Sequence, residues 1–269
     1  MENPELLRRI DAYLDAVPRA VCRTETLGPF TLFVNDGPGW RYYARPTPGC
    51  GAVTQQDVAS VRAREREVGM PEAIEWVREL VPGVGPAARA AGLEVTSHPL
   101  MSLAADGFAG ATVVDADVRL ASAEDDLARI SAVQQVAFAN PGTAAGPPRA
   151  DALEAIVRSA DPAATAFLAE RIDRGLTVTA VAFLGGEPVA AGAHQPVDGA
   201  TEIVGVACLP AFRRRGFAAA VTSLLVVDAL ERGVTTVCLS ADDEHVERLY
   251  GRLGFETVGS VGAAEPGEG

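Results

Sequence analysis

The sequence predicts a mixed α/β fold, sheet layered with helices, in which one well-marked copy follows a fainter one. Three observations predict it. Helix-period and strand-period segments alternate in order from residue 113 to residue 261. Within that stretch an antiparallel meander precedes a strand–helix–strand crossover, so the sheet mixes antiparallel and parallel pairs. In the N-terminal half, Gly69 and Gly92 close helices at nearly the interval that Gly233 and Gly254 do, which suggests an internal repeat.

The N-terminal half reads as strands at 30–34 and 40–44, then a helix at 54–68 with Val58, Val61 and Val68 among many charges. A strand at 73–77, a short helix at 85–91 and a strand from Leu93 to Thr96 follow. The small-residue stretch Ala105-Asp106-Gly107-Phe108-Ala109-Gly110 marks a boundary, giving domains 1–108 and 109–269. Beyond it, 113–122 reads as a strand. Residues 124–139 read as a helix carrying Leu127, Ile130, Val133, Val136 and Ala137 on one face. A Pro/Gly loop over 140–149 leads to helices at 150–160 and 162–174. Strands at 177–184 and 189–194 join through Gly185-Gly186-Glu187-Pro188, and a third strand spans 201–208. Then come a helix at 216–232, stopped by Gly233, a strand at 234–240, a helix at 242–252 and a strand at 255–261. The glycine-rich tail, 262–269, reads as frayed.

The chain has 269 residues, 48% hydrophobic and 22% charged, enough for a real core in one large or two small domains. No apolar run reaches membrane-spanning length, and Met1-Glu2-Asn3-Pro4-Glu5 lacks a secretion-signal pattern. The expected compartment is the cytoplasm, with no membrane partner. A net charge of −13 disfavours nucleic acid as a partner and suits a cationic substrate. Cys22, Cys50, Cys208 and Cys238 are far apart and imply no disulfide framework. His98, His194 and His245 are isolated and imply no metal site.

The most informative run is Arg213-Arg214-Arg215-Gly216-Phe217-Ala218, entered from the apolar segment 201–208. A strand passing through a basic, glycine-punctuated turn into an alanine-rich helix is an anion site made of backbone amides. Gly216 lets the backbone approach a bulky anion, and Ala218, Ala219 and Ala220 keep the first turn unobstructed. The expected ligand bears phosphate.

Residues from about 112 to 261 resemble the GNAT superfamily of acyl-CoA-dependent N-acyltransferases. The Arg213 to Ala218 run matches the family's Gln/Arg-x-x-Gly-x-Gly/Ala signature. Leu249-Tyr250-Gly251-Arg252-Leu253-Gly254-Phe255 matches its late Leu-Tyr-x-x-x-Gly-Phe segment. The resemblance implies a mixed-sheet GNAT fold and a site for acetyl-CoA or another short acyl-CoA. The strand end at Val206, Ala207 and Cys208 would splay from segment 234–240 and pair with the pantetheine arm. The amides from Arg214 to Ala219 would hold the pyrophosphate, with Arg213 and its neighbours adding charge. Tyr250 is implied as the acid that meets the departing sulfur. Glu202, placed relative to Gly216 as a strand glutamate is in the histone-acetyltransferase branch, is the candidate base. Asp243 stands where members often carry a cofactor-contacting Asn. His194 and Gln195 lie where a strand meets a loop that could face the acceptor, with packing as the plainer role for His194.

The implied activity is acetyl transfer to an amine by direct attack in a ternary complex. The acceptor is a small molecule or peptide, and the protein a monomer or homodimer. A different class, an inactive acyl-CoA sensor or interaction module, would not need Tyr250 and Glu202. In the N-terminal half the repeat puts the phosphate-loop glycine near Ala52, beside Gly51, and the tyrosine position at Ala88. Neither signature is present, so that half reads as a degenerate GNAT-like domain packing on the active one and helping to shape the acceptor cleft. Trp40, Tyr42, Tyr43 and Trp76 are its candidates for surface or core.

Overall fold

A computed structural model describes residues 3–104 and 107–267. They form two compact units. One comprises Met1–Met101, Ser240–Asp243 and Thr257–Gly269, the other Ser102–Leu239 and Glu244–Glu256. Ala105 and Asp106, part of the expected boundary stretch, lie outside the described residues.

The first unit opens with helix α1 (Pro4–Arg19). Asn3 caps it by accepting the Leu6 amide, and Pro4 supplies a helical φ where no amide is needed. A hairpin of β1 (Arg23–Leu27) and β2 (Phe30–Val34) pairs onward to the two-residue strand β3 (Arg45–Pro46). Residues 40–43 are not the expected strand, and Ala44 makes only an isolated parallel bridge to Ile74. The preceding loop is tied locally instead: the Asn35 side chain donates to the Trp40 carbonyl and accepts the Gly37 amide. Helix α2 (Gln55–Glu67), strand β4 (Ile74–Val77), helix α3 (Val84–Ala90) and strand β5 (Glu94–Leu103) follow. Phe30, Leu32, Val58, Val61, Ile74, Trp76 and Val84 form the core.

The second unit runs through β6 (Asp117–Leu120), α4 (Leu127–Phe138), α5 (Ala150–Arg158), α6 (Pro162–Asp173), β7 (Val178–Leu184), β8 (Glu187–His194) and β9 (Ala200–Cys208). It continues with α7 (Phe217–Glu231), β10 (Thr236–Ser240) and α8 (Glu244–Gly251). The strand order is β10-β9-β8-β7-β6, antiparallel except for the parallel β9–β10 pair across α7. This is the expected meander and crossover. Ala191 packs with Leu127 and Ile130 of α4, whereas a Cβ on Gly192 would meet Val221 and Leu225 of α7. Adjacent strand residues face opposite ways, so α4 and α7 cover opposite faces of the sheet.

Strand β11 (Phe255–Glu265) ends the described fold. Residues 262–265 are not frayed. Gly262, Ala263 and Ala264 pair antiparallel with Trp76, Glu75 and Ile74, and within the first unit β11 lies between β4 and β5. Gly262 is the reason a glycine-rich tail can be a strand. A Cβ there would fall 2.5 Å from the Trp76 ring, so the indole occupies that space. The final residues, 268 and 269, lie outside the described residues.

Candidate active site

After β9 the chain makes a 3₁₀ turn, Pro210–Phe212, and enters α7 through two left-handed residues, Arg214 at φ 62° and Gly216 at φ 86°. Such alternation rolls the backbone into a concave row of amides. The Ala220 amide bonds to the Gly216 carbonyl, and the helix geometry leaves the amides before it without an internal acceptor. A Cβ on Gly216 would stand 3.3 Å from Val113, in addition to the strained φ, so this cradle needs glycine.

The three arginines divide their work. The Arg213 guanidinium donates to the carbonyls of Cys208, Ala137, Ala144 and Asn140, tying the C-terminal end of α4 and its loop to the end of β9. Its side chain is thereby committed to the scaffold, and only its backbone is left for an anion. Arg215 pairs with Asp115 and lies over the Phe217 ring, 4.9 Å from its centroid. Arg214 is exposed and has no ion-pair partner among the described residues. Phe217 is buried, and Ala218 and Ala219 line the first turn of α7.

Beside this cradle β9 and β10 part. Their register runs from Ala200↔Thr236 through Glu202↔Cys238, while β9 continues to Cys208. On its other edge β9 stays with β8, to Ala191↔Ala207 and Ala190↔Cys208. Val206, Ala207 and Cys208 therefore form a strand end that has left one neighbour and kept the other. Burial pushes the Cys208 thiol up to about 11, so it is a neutral packing group at neutral pH.

Tyr250, on α8, is buried and meets Phe255 edge-on at 6.0 Å. Burial pushes its hydroxyl up to about 12, and the Thr222 hydroxyl of α7 draws it partly back. Glu202 is half-buried. Its neighbour Thr201 bonds to His194 on the α7-covered face, so Glu202 projects to the face covered by α4. Tyr250 meets Thr222 of α7, so the candidate acid and base lie on opposite faces of the sheet. His194 is fully buried: Nε2 lies 2.9 Å from Asp228 Oδ2, and Nδ1 lies 3.1 Å from Thr201 Oγ1. It is a core histidine directed into α7, away from the Glu202 face. Gln195 accepts from Arg171 of α6. Asp243 is exposed in the bend leading to α8.

The matching helix start in the first unit is filled from within. Asp57 Oδ2 accepts the Thr54 amide at 2.9 Å and the Thr54 hydroxyl at 2.6 Å, and the Thr54 hydroxyl oxygen accepts the Asp57 amide. This is a capping box, in which the N-cap and N3 side chains satisfy each other's amides. Ala88, at the tyrosine position, is part of the core, as is Trp76. Trp40 is 71% exposed, and Tyr43 donates to Glu265.

Two motifs, a parted strand pair and an amide cradle make the C-terminal part of the chain similar to GNAT proteins. Residues 150–255 match the model of the acetyltransferase (GNAT) family. A GCN5-related N-acetyltransferase from Kribbella flavida aligns with 97% of this chain and 96% of its own, at TM-score 0.71 and 22% identity. A tandem GNAT protein from the clavulanic acid biosynthesis pathway aligns with 89% of this chain and 79% of its own, at TM-score 0.54 and 17% identity. A GNAT-family protein from Novosphingobium aromaticivorans aligns with 93% and 92%, at TM-score 0.53 and 19% identity. The fold is therefore that of GNAT proteins over both units. No curated protein matches the chain by sequence. No helix among the described residues is long and apolar enough to cross a membrane.

Proposed function

We propose that this protein transfers an acetyl group, or another short acyl group, from its CoA thioester to an amine on a small molecule or peptide, by direct attack in a ternary complex. One observation carries the reading: the two-residue left-handed entry to α7 lies beside the point where β9 leaves β10. That puts an anion cradle next to an extended backbone edge, which suits a ligand with a pyrophosphate and an amide-bearing arm. The amides from Arg214 to Ala219 would hold the pyrophosphate, with Arg214 adding its charge. Val206, Ala207 and Cys208 would meet the arm, and Asp243 stands in sequence where the resemblance expects a cofactor-contacting Asn.

The thioester supplies an activated acyl carbon. Glu202 takes the proton that the amine must lose, directly or through water. Tyr250 acts at the departing sulfur. With its hydroxyl near 12 it is a weaker acid than a thiol near the ordinary value of about 8.5. It therefore serves by donating a hydrogen bond to the developing thiolate rather than by ionising. Catalysis belongs to the domain 109–269, although residues 240–243 and 257–269 of that stretch fall in the first compact unit. Residues 1–108 form a non-catalytic copy that lacks both the phosphate-loop signature and the tyrosine.

The test is release of CoA thiol from acetyl-CoA with a panel of small amines, aminoglycosides, amino acids and basic peptides. Turnover with at least one acceptor is expected. Tight acetyl-CoA binding without turnover by any acceptor would favour the sensor, and absence of acetyl-CoA binding would overturn the reading.

A further inference from the structure

The geometry points to Gln134 of α4 as a positioning residue that sets the backbone bend by which β9 leaves β10. The inference rests on the cofactor site proposed above. Between Ala191↔Ala207 and Ala193↔Val204 the β8–β9 register slips, leaving one extra residue in β9. Gly205 lies in that slip at φ 63°, a left-handed conformation inside a strand. A residue so rotated turns its carbonyl out of the ladder, where it needs another donor. Gln134 Nε2 supplies it, 2.8 Å from the Gly205 oxygen.

The fit is mutual. A Cβ on residue 205 would fall 2.8 Å from the same Nε2, so the side-chain amide stands in the space that glycine leaves. Across the ladder Gly192 is glycine for a related reason, since a Cβ there would meet Val206 Cγ2 at 2.9 Å. The bulge is thus held from α4 on one side and accommodated by β8 on the other. Its place in the chain gives it consequence. It lies after Glu202, where pairing with β10 ends, and before Val206 to Cys208, whose backbone groups would meet the cofactor arm. Gln134 touches neither reactant and acts through the strand.

The test compares two ligands on Gln134→Leu, which removes the donor, and Gln134→Glu, which keeps the shape but presents a carboxylate to the carbonyl. Acetyl-CoA reports on the arm as well as the cradle; adenosine 3′,5′-bisphosphate, which keeps one phosphate of the pyrophosphate, reports on the nucleotide end without the arm. Isothermal titration is expected to show acetyl-CoA affinity falling about tenfold or more, with nucleotide affinity unchanged. Unchanged acetyl-CoA affinity in both variants would overturn the inference. Equal loss of both ligands would also overturn it, because it reports general disruption. Wild-type protein that binds neither ligand would overturn the cofactor reading itself, and this inference with it.

Discussion

The carbonyl oxygen of Gly107 stands 1.9 Å from where a β-carbon of residue 254 would be. Gly254, the glycine of the Gly-Phe motif, has φ 97°, and the segment before β6 is bonded to its turn. The Ala104 amide donates to the Gly254 carbonyl and the Ala109 amide to the Leu253 carbonyl. The Leu253 amide in turn donates to the Tyr250 carbonyl. Gly254→Ala must push this backbone aside and disturb the end of α8. A loss of about 2–3 kcal/mol is expected in chemical denaturation, together with reduced turnover at saturating substrate.

Tyr250→Phe keeps the ring against Phe255 and removes the proposed donor to sulfur. The expected loss in kcat is about 10²-fold, with acetyl-CoA affinity little changed. Because the hydroxyl stays protonated to about 12, Tyr250 contributes no basic limb to the pH–rate profile below that value. Full kcat in the variant would remove it from the mechanism.

The cradle predicts two graded effects. Gly216→Glu adds strain and a negative charge at the proposed anion cradle, and acetyl-CoA binding should be undetectable by titration calorimetry. Arg214→Ala should weaken binding severalfold and lessen its salt dependence, since an exposed cation acts through screened attraction. An unchanged salt slope would show that Arg214 faces away from the phosphates.

His194 makes stability depend on pH. Burial lowers its pKa below 6.5, against the pull of Asp228, so the folded state holds it neutral. The unfolded chain takes up the proton first as pH falls. Stability is therefore complete above about 6.5 and declines as pH drops toward the lowered folded value, by at most about 1.4 kcal/mol per pH unit. Denaturant midpoints between pH 8 and pH 5 measure this. His194→Gln should be less stable at pH 8, with Asp228 and Thr201 poorly matched, and should show a shallower decline.

Deletion of residues 257–269 removes the strand that pairs with Val77 through Ile74, along with the buried Val261 and Ala264. Hydrogen exchange is expected to rise across β4 and the Trp76 core while α7 stays protected. Protection retained at Trp76 would show that the first unit stands without that strand.

The second unit was largely legible because its helices carry apolar residues at helical spacing and its turns are marked by Gly185-Gly186, Gly233 and Gly254. The cradle was legible too, because Gly216 sits in a recognisable run. The fate of its arginines was not. Arg213 is spent on carbonyls brought near by α4, a long-range arrangement with no local signal. Gln134 was invisible for the same reason: a glutamine on a helix says nothing until Gly205 lies opposite. In the first unit Asn3 and Pro4 are the local start signals of α1, whereas β1 carries only Thr and Leu among charged residues. Residues 40–43 looked like a strand because aromatic residues favour strands, yet the Asn35 turn claims them. The tail looked frayed because its glycine makes room for Trp76, a partner far away in sequence.

That last strand also orders events in the life of the chain. Synthesis completes the second unit's final helix before residue 257 emerges, whereas the first unit, made earlier, still lacks a strand of its sheet. The half translated first is finished last, against the usual N-terminal-first sequence. Until then the edge of β4 is an open template. A chain interrupted before residue 257 would present that edge to other molecules.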